Sequence, residues 1–286
     1  MKKIKVKAPA KINLTLEVLN RRENGFHDIR SVMQAINLYD YLSFETTESA
    51  GGLQIELSGN NKKLPYDEHN LIYKAAVKYF EKIGAADVYL RCYLEKNIPV
   101  EAGLAGGSTD AAATFFALNK LFDNKLSDKE IAELCAETGS DLNFCYRGGC
   151  AICTSRGEKI RPIPFVEMPV SLIRPKDMKI SAKEAYSEYD LFERKEYRNY
   201  TEELVHLIVR GGFDINLLHN DLELPLCKKY HHINNMKKYI KNSFMSGSGP
   251  VFYVLKKNFG MVIEPLDFWY AENLHTIGKG VEEVVQ

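Results

Sequence analysis

Apolar and polar residues alternate from the start of the chain. Ile4, Val6 and Ala8 alternate with Lys3, Lys5 and Lys7, and residues 10–18 continue the pattern. There Ile12, Leu14, Leu16 and Val18 point one way, and Lys11, Asn13, Thr15 and Glu17 the other. A period of two predicts a strand with one face in a core. The other face carries Lys11 and Asn13 about 7 Å apart along the strand. The polar run Arg21-Arg22-Glu23-Asn24-Gly25 predicts a turn, with Asn24-Gly25 its strongest signal.

Helical periods follow. Residues 70–83 put Ile72, Ala76, Tyr79 and Ile83 on one face and stop at Gly84. Residues 108–122 do the same with Ala111, Phe115, Leu118 and Phe122. Ser127 and Glu130 form a capping box for a third helix, expected to end at Gly139. Pro162, Pro164 and Pro169 punctuate the chain before a Tyr- and Lys-rich second half. Strands and helices are mixed and no repeat is visible. At 286 residues the chain is expected to form two domains, 1–155 and 156–286.

Lys plus Arg (38) equals Asp plus Glu (38), so the formal charge is zero. A duplex-binding protein needs a basic excess to displace counterions, so nucleic acid is not an expected partner. No apolar run approaches the roughly 18–20 residues that span a bilayer, so neither is a membrane. The N-terminal strand pattern lacks the apolar core of a signal peptide, and a cytoplasmic location is expected. Of the six cysteines, only Cys150 and Cys153 have a redox-like spacing. They follow Gly148-Gly149 into a strand-like stretch, where no helix dipole would lower a thiol pKa, and they read as packing residues.

The densest chemical signal is Ile98-Pro99-Val100-Glu101-Ala102-Gly103-Leu104-Ala105-Gly106-Gly107-Ser108-Thr109-Asp110, directly before the second helix. Glycines let backbone amides approach a ligand, and a helix N-terminus adds about half a positive charge. Together they make an anion site, most naturally for phosphate. The plain structural reading is a glycine-rich connection capped by Ser108 or Thr109. It is neither a P-loop, lacking Gly-Lys-Ser/Thr, nor a dinucleotide fingerprint. Asp110, in the first helical turn, reads as structural. A second glycine–hydroxyl turn, Met245 to Pro250, precedes an expected strand at Val251–Leu255.

The chain resembles the GHMP kinase superfamily through three segments in order: Pro9-Ala10-Lys11-Ile12-Asn13, Pro99 to Ala113, and Ser246 to Gly249. Gly25-Phe26-His27, Gly139-Ser140-Asp141 and Asn220-Asp221-Leu222-Glu223 narrow it to the branch that phosphorylates the 2-hydroxyl of a cytidine-diphosphate-linked methylerythritol in non-mevalonate isoprenoid synthesis. The resemblance implies a mixed α+β fold of two parts. The N-terminal part would be like ribosomal S5 domain 2 and the C-terminal part a ferredoxin-like α/β domain, with ATP and substrate in the cleft between them. A monomer or weak homodimer is expected.

By the same resemblance, Asp141 accepts the hydroxyl proton, and Lys11 pairs with it and orients the hydroxyl or γ-phosphate. Pro99, Gly103, Leu104, Ala105, Gly106, Gly107, Ser108 and Thr109 would hold ATP phosphates, with Asn70 and Leu71 against the adenine. Asn13, Phe26, His27, Tyr186, Ser246 and Gly247 would hold the cytidyl substrate. The family usually has Tyr where this chain has Phe26, which keeps stacking and loses a hydroxyl. Mg2+ is expected with ATP, and no carboxylate cluster marks a protein-built metal site. The alternatives are another GHMP kinase, of mevalonate, phosphomevalonate or homoserine type, and a nucleotide-binding sensor without turnover. Gly25-Phe26-His27 with Tyr186 argues against the first, and retention of Lys11 and Asp141 against the second.

Overall fold

The computed structural model describes residues 1–193, 198–260 and 267–285. Its spine is a long antiparallel ribbon of β1 (Lys2–Arg21) and β2 (His27–Glu48), joined at the predicted turn. Each strand is long enough to take two neighbours. β3 (Gln54–Gly59) lies parallel to β4 (Val88–Glu95), which pairs with the far half of β2. Between them runs α1 (Leu71–Ile83), where the Asn70 side chain accepts the Ile72 amide at 2.9 Å and Gly84 ends the helix with φ 67°. α2 (Gly106–Leu121), α3 (Asp128–Thr138) and α4 (Leu142–Arg147) follow, α3 with the predicted Ser127–Glu130 box. These helices bury Tyr79, Phe80, Phe115 and Leu118 against Val6, Phe44 and Leu90 of the sheet.

The boundary expected at 155 lies next to strands of the first sheet. It falls in the turn of a hairpin, β5 (Cys150–Ser155) with β6 (Lys159–Ile163), whose first strand pairs with the near half of β2. The second sheet starts only at β7 (Pro169–Pro175).

Beyond it lie α5 (Ala182–Asp190), α6 (Tyr200–Val209), β8 (His219–Asn220), α7 (Glu223–Lys229) and α8 (His231–Tyr239). β9 (Phe244–Met245), β10 (Phe252–Val254), β11 (Phe268–His275) and β12 (Glu282–Glu283) complete the chain. The second sheet has the order β11-β7-β10-β9, all antiparallel. β8 and β12 return to pair with β1, so the halves are interlaced rather than strung in sequence.

The strand pattern at 10–18 has a consequence that alternation alone does not reveal. Its apolar residues join the second half: Ile12 and Leu14 pack with Leu172, Leu204 and Tyr253, and Leu16 and Val18 with Leu222 and Phe252. Its polar residues are buried as well. Thr15 shares a hydrogen bond with Thr201 of α6 at 2.8 Å, and Glu17 accepts from Arg30 and from the Tyr200 amide, each at 3.0 Å.

Candidate active site

The walls of a cavity of about 890 Å3 come from both halves of the chain. At one end lies the glycine-rich segment. α2 begins at Gly106, two residues before the expected caps. Its N-cap is Ala105, held at φ 59° with no side-chain cap. Ser108 and Thr109 therefore cap nothing. The amides of Gly106, Gly107 and Ser108 have no carbonyl one turn back to bond, and all three residues line the cavity. Gly103, Ala105 and Leu71 line it too. This is an open helix N-terminus aimed into a cavity, the arrangement that suits phosphate.

Four expected nucleotide residues lie outside the cavity lining. Leu104 is fully buried in the core beside Ile98, and Thr109 is buried with its hydroxyl unpartnered among the described residues. Asn70 uses its side chain to cap α1, and Pro99 precedes the loop. A motif spans more residues than face the ligand, because a tight loop must also bury some of its own.

Lys11 sits in the middle of the cavity wall. Its Nζ donates to Asn13 Oδ1 at 2.6 Å and lies 3.5 Å from Asp141 Oδ2. Asn13 in turn donates to Ser31 Oγ at 2.8 Å, which fixes the amide. The Lys11 ammonium is almost wholly buried, while the Asp141 carboxylate keeps a quarter of its surface open. Asp141 occupies the N-cap position of α4 without making a capping bond, so its oxygens remain available. The wall thus combines a fixed ammonium, a fixed amide and an accessible carboxylate.

The late glycine turn closes against the loop. Ser246 Oγ donates to the Gly103 carbonyl at 2.9 Å, and a Cβ on Gly103 would stand 2.0 Å from the Ser246 carbonyl. A Cβ on Gly247 would stand 3.0 Å from Lys11 Nζ. Glycine at both places lets three distant segments meet. Gly247 lines the cavity. Ser246 does not: it is fully buried and its hydroxyl is committed to Gly103.

The other end is aromatic. Phe26 is half exposed, with the Arg156 guanidinium 5.5 Å from its ring centre. His27 is buried and stacks on Tyr186, the centroids 4.9 Å apart and the planes at 13°. Burial pushes the Tyr186 phenol up, and nearby Asp141 adds to it. His27 Nε2 lies 2.7 Å from Asp190 Oδ1. Asp190, Arg156 and Lys183 line the cavity and were not singled out in the sequence. Asp190 had a legible signal, since it lies four residues after Tyr186 and so on the same helical face.

Asp110, the rival carboxylate, lies away from the cavity, in a buried cluster with Lys96 and Asp40. All six cysteines are free and buried, and burial pushes the Cys150 thiol up to about 12. The one His/Asp/Glu group among the described residues close enough to hold a metal, Asp67, Glu68 and His69, is exposed and outside the cavity lining. No helix among the described residues is long and apolar enough to cross a membrane.

Comparison with known proteins agrees with this geometry. The family model for the GHMP kinases N terminal domain matches residues 70–149, which run from α1 through the glycine-rich loop to the end of α4. A 4-diphosphocytidyl-2-C-methyl-D-erythritol kinase from Caldanaerobacter subterraneus subsp. tengcongensis is 40% identical over 262 residues, covering 88% of this chain and 87% of that protein. The chain belongs to the 4-diphosphocytidyl-2-C-methyl-D-erythritol kinase family. A second member of the family, from Thermoanaerobacter pseudethanolicus, is 38% identical and covers 99% of both chains. A crystal structure of 4-(cytidine 5'-diphospho)-2C-methyl-D-erythritol kinase superposes with a TM-score of 0.71 at 26% identity, covering 97% of this chain and all of that one. A homoserine kinase from Cytophaga hutchinsonii reaches 0.75 at 18% identity, covering 99% and 98%, which shows that the GHMP fold is shared beyond the family.

Proposed function

We propose that this cavity is where the chain performs its family's reaction, ATP-dependent phosphorylation of the 2-hydroxyl of 4-diphosphocytidyl-2-C-methyl-D-erythritol. The chain is a kinase of isoprenoid precursor synthesis, with ATP as co-substrate. The observation that carries the site reading is the placement of Lys11, Asn13 and Asp141 on the wall of the cavity that also takes in an uncapped helix N-terminus.

In this reading the Gly106, Gly107 and Ser108 amides hold ATP phosphates, with Leu71 beside the adenine. The substrate 2-hydroxyl oxygen attacks the γ-phosphorus, the bond to the β-bridging oxygen breaks, and ADP leaves. The hydroxyl proton passes to Asp141. A loose phosphoryl-transfer transition state asks mainly for positioning and charge, and needs little basicity from the carboxylate. Lys11 and Asn13 orient the reacting groups. Mg2+ fits as a phosphate-borne ion: Ser108 and Glu101 are oxygen donors beside the loop, too few to build an octahedral site without the phosphates and water. It would neutralise charge on the phosphates.

Phe26, His27 and Tyr186 give the cytidyl group an aromatic end to enter. An acid substrate without a base gives no use to that end, which sets this reading above a mevalonate or homoserine kinase. The test is ADP release with magnesium-ATP, comparing the cytidyl compound with mevalonate, phosphomevalonate and homoserine. Turnover with the cytidyl compound alone is expected. Its absence, with ATP still bound, would overturn the substrate assignment.

A further inference from the structure

We infer that Asp190 is a specificity-determining positioning residue: it fixes the tautomer of His27 so that the cavity accepts a cytosine and refuses a uracil. The inference rests on the cytidyl reading of the site.

His27 is held on three sides. Tyr186 lies flat against its ring at 4.9 Å, Tyr189 meets the ring edge-on at 6.5 Å, and Asp190 Oδ1 takes Nε2 at 2.7 Å. The stack sets the plane of the imidazole, and the carboxylate sets its rotation within that plane. Arg21 Nη1 lies 3.5 Å from the second oxygen of Asp190, which restrains the carboxylate in turn. His27 and Asp190 both line the cavity, and Nδ1 of His27 has no protein partner among the described residues.

An ionised carboxylate only accepts hydrogen bonds, so Nε2 must carry the proton. In a neutral imidazole the other nitrogen is then a bare acceptor, and which nitrogen is protonated follows from the bond the first one makes. The two pyrimidines share their ring and the O2 carbonyl and differ at position 4. Cytosine has an amino donor there, uracil a carbonyl acceptor. An acceptor Nδ1 pairs with the cytosine amine and faces the uracil oxygen lone pair to lone pair. Stacking on Phe26 or Tyr186 makes no such distinction, since every base has a π-face. A site built around a buried hydrogen-bonding group rejects the analogue that leaves the group unpaired far more strongly than a hydrophobic pocket rejects a size change.

The test compares the cytidyl substrate with its uridyl analogue. The wild-type enzyme should prefer the cytidyl compound by about 100-fold or more in kcat/KM. In Asp190→Ala that ratio should fall at least about tenfold, through the KM of the cytidyl compound, with the KM of ATP unchanged. Should Asp190→Ala fail to fold, 15N NMR of the wild-type His27 ring at about pH 8 gives an independent reading. A proton on Nε2 with Nδ1 bare is expected. A proton on Nδ1, or an unchanged pyrimidine ratio in Asp190→Ala, would overturn the inference. Equal turnover of both compounds by the wild type would overturn it while leaving the kinase reading intact, and turnover of neither would overturn both.

Discussion

Two buried lysines, each beside carboxylates, stand in different surroundings in this fold. Lys11 lies 3.5 Å from Asp141, whose side chain keeps a quarter of its surface open to the cavity. Lys96 sits between Asp40 at 2.5 Å and Asp110 at 2.7 Å, with all three side chains shut away from water. Asp40 also accepts the amides of Asn97 and Ile98, at 2.6 and 2.8 Å. The second cluster therefore ties both ends of the glycine-rich loop, residues 96–98 and Asp110 in the second turn of α2, to β2. Residue type does not separate the two clusters. Distance and access do: a loose pair at an open wall can exchange a partner for a substrate, and a tight pair in a core cannot.

Asp141→Asn gives the largest effect expected from this contrast. It should lower kcat by about 10²–10⁴-fold in steady-state assays and leave ATP affinity within a few fold. A kcat near wild type would make the open pair as structural as the closed one. Lys96→Met comes next: it leaves two carboxylates facing each other in the core and should lose about 3–5 kcal/mol in urea denaturation. Loss of activity without loss of stability would place Lys96 in the chemistry instead.

Phe26→Ala extends the contrast to the aromatic end. The ring is half exposed, so the fold should hold. The KM for the cytidyl substrate should rise by the equivalent of about 1–3 kcal/mol of stacking, far more than that for ATP. Equal rises would make Phe26 a supporting residue.

The smallest effect should come from Asp110→Asn. Burial raises the folded-state pKa of Asp110 well above the ordinary carboxylate value; Lys96 opposes the shift and repulsion from Asp40 adds to it. The sign follows from linkage: the folded state holds this proton more tightly than the unfolded one. Stability from Asp110 is therefore complete below the ordinary carboxylate pKa, near 4, and declines as the pH rises towards the raised value. Asp110→Asn should remove that decline and leave stability at neutral pH within about 1 kcal/mol of wild type. Parallel pH–stability curves for the two proteins would show that Asp110 stays charged throughout.

Much of the local structure was legible. Asn24-Gly25, the Ser127–Glu130 box and Gly84 all act within a few residues, so spacing alone carries them. The glycine-rich loop leading into α2 was legible for the same reason, although the helix begins at Gly106 and neither Ser108 nor Thr109 caps it. The partner of the Ser246 hydroxyl was not legible, because a hydroxyl beside glycines looks the same whether it faces a ligand or the Gly103 carbonyl. The pairing of β5 with β2 across the expected boundary at 155 was not legible, because strand partners are chosen by tertiary packing.

Period, caps and turn residues thus determined which segments became strands, helices and phosphate-type loops, since those forces act over one or two turns of chain. The sequence also pointed to a lysine, a carboxylate and an aromatic pair as candidates for the chemistry. Only the tertiary structure decided that Lys11 meets Asp141 and not Asp110, that Tyr186 lies on His27, and that Asp190 takes its Nε2. Those contacts join residues from 130 to 163 positions apart. Their partners are chosen by how β1, α4 and α5 pack around the cavity, a choice set by shape and burial over the whole molecule that no local pattern encodes.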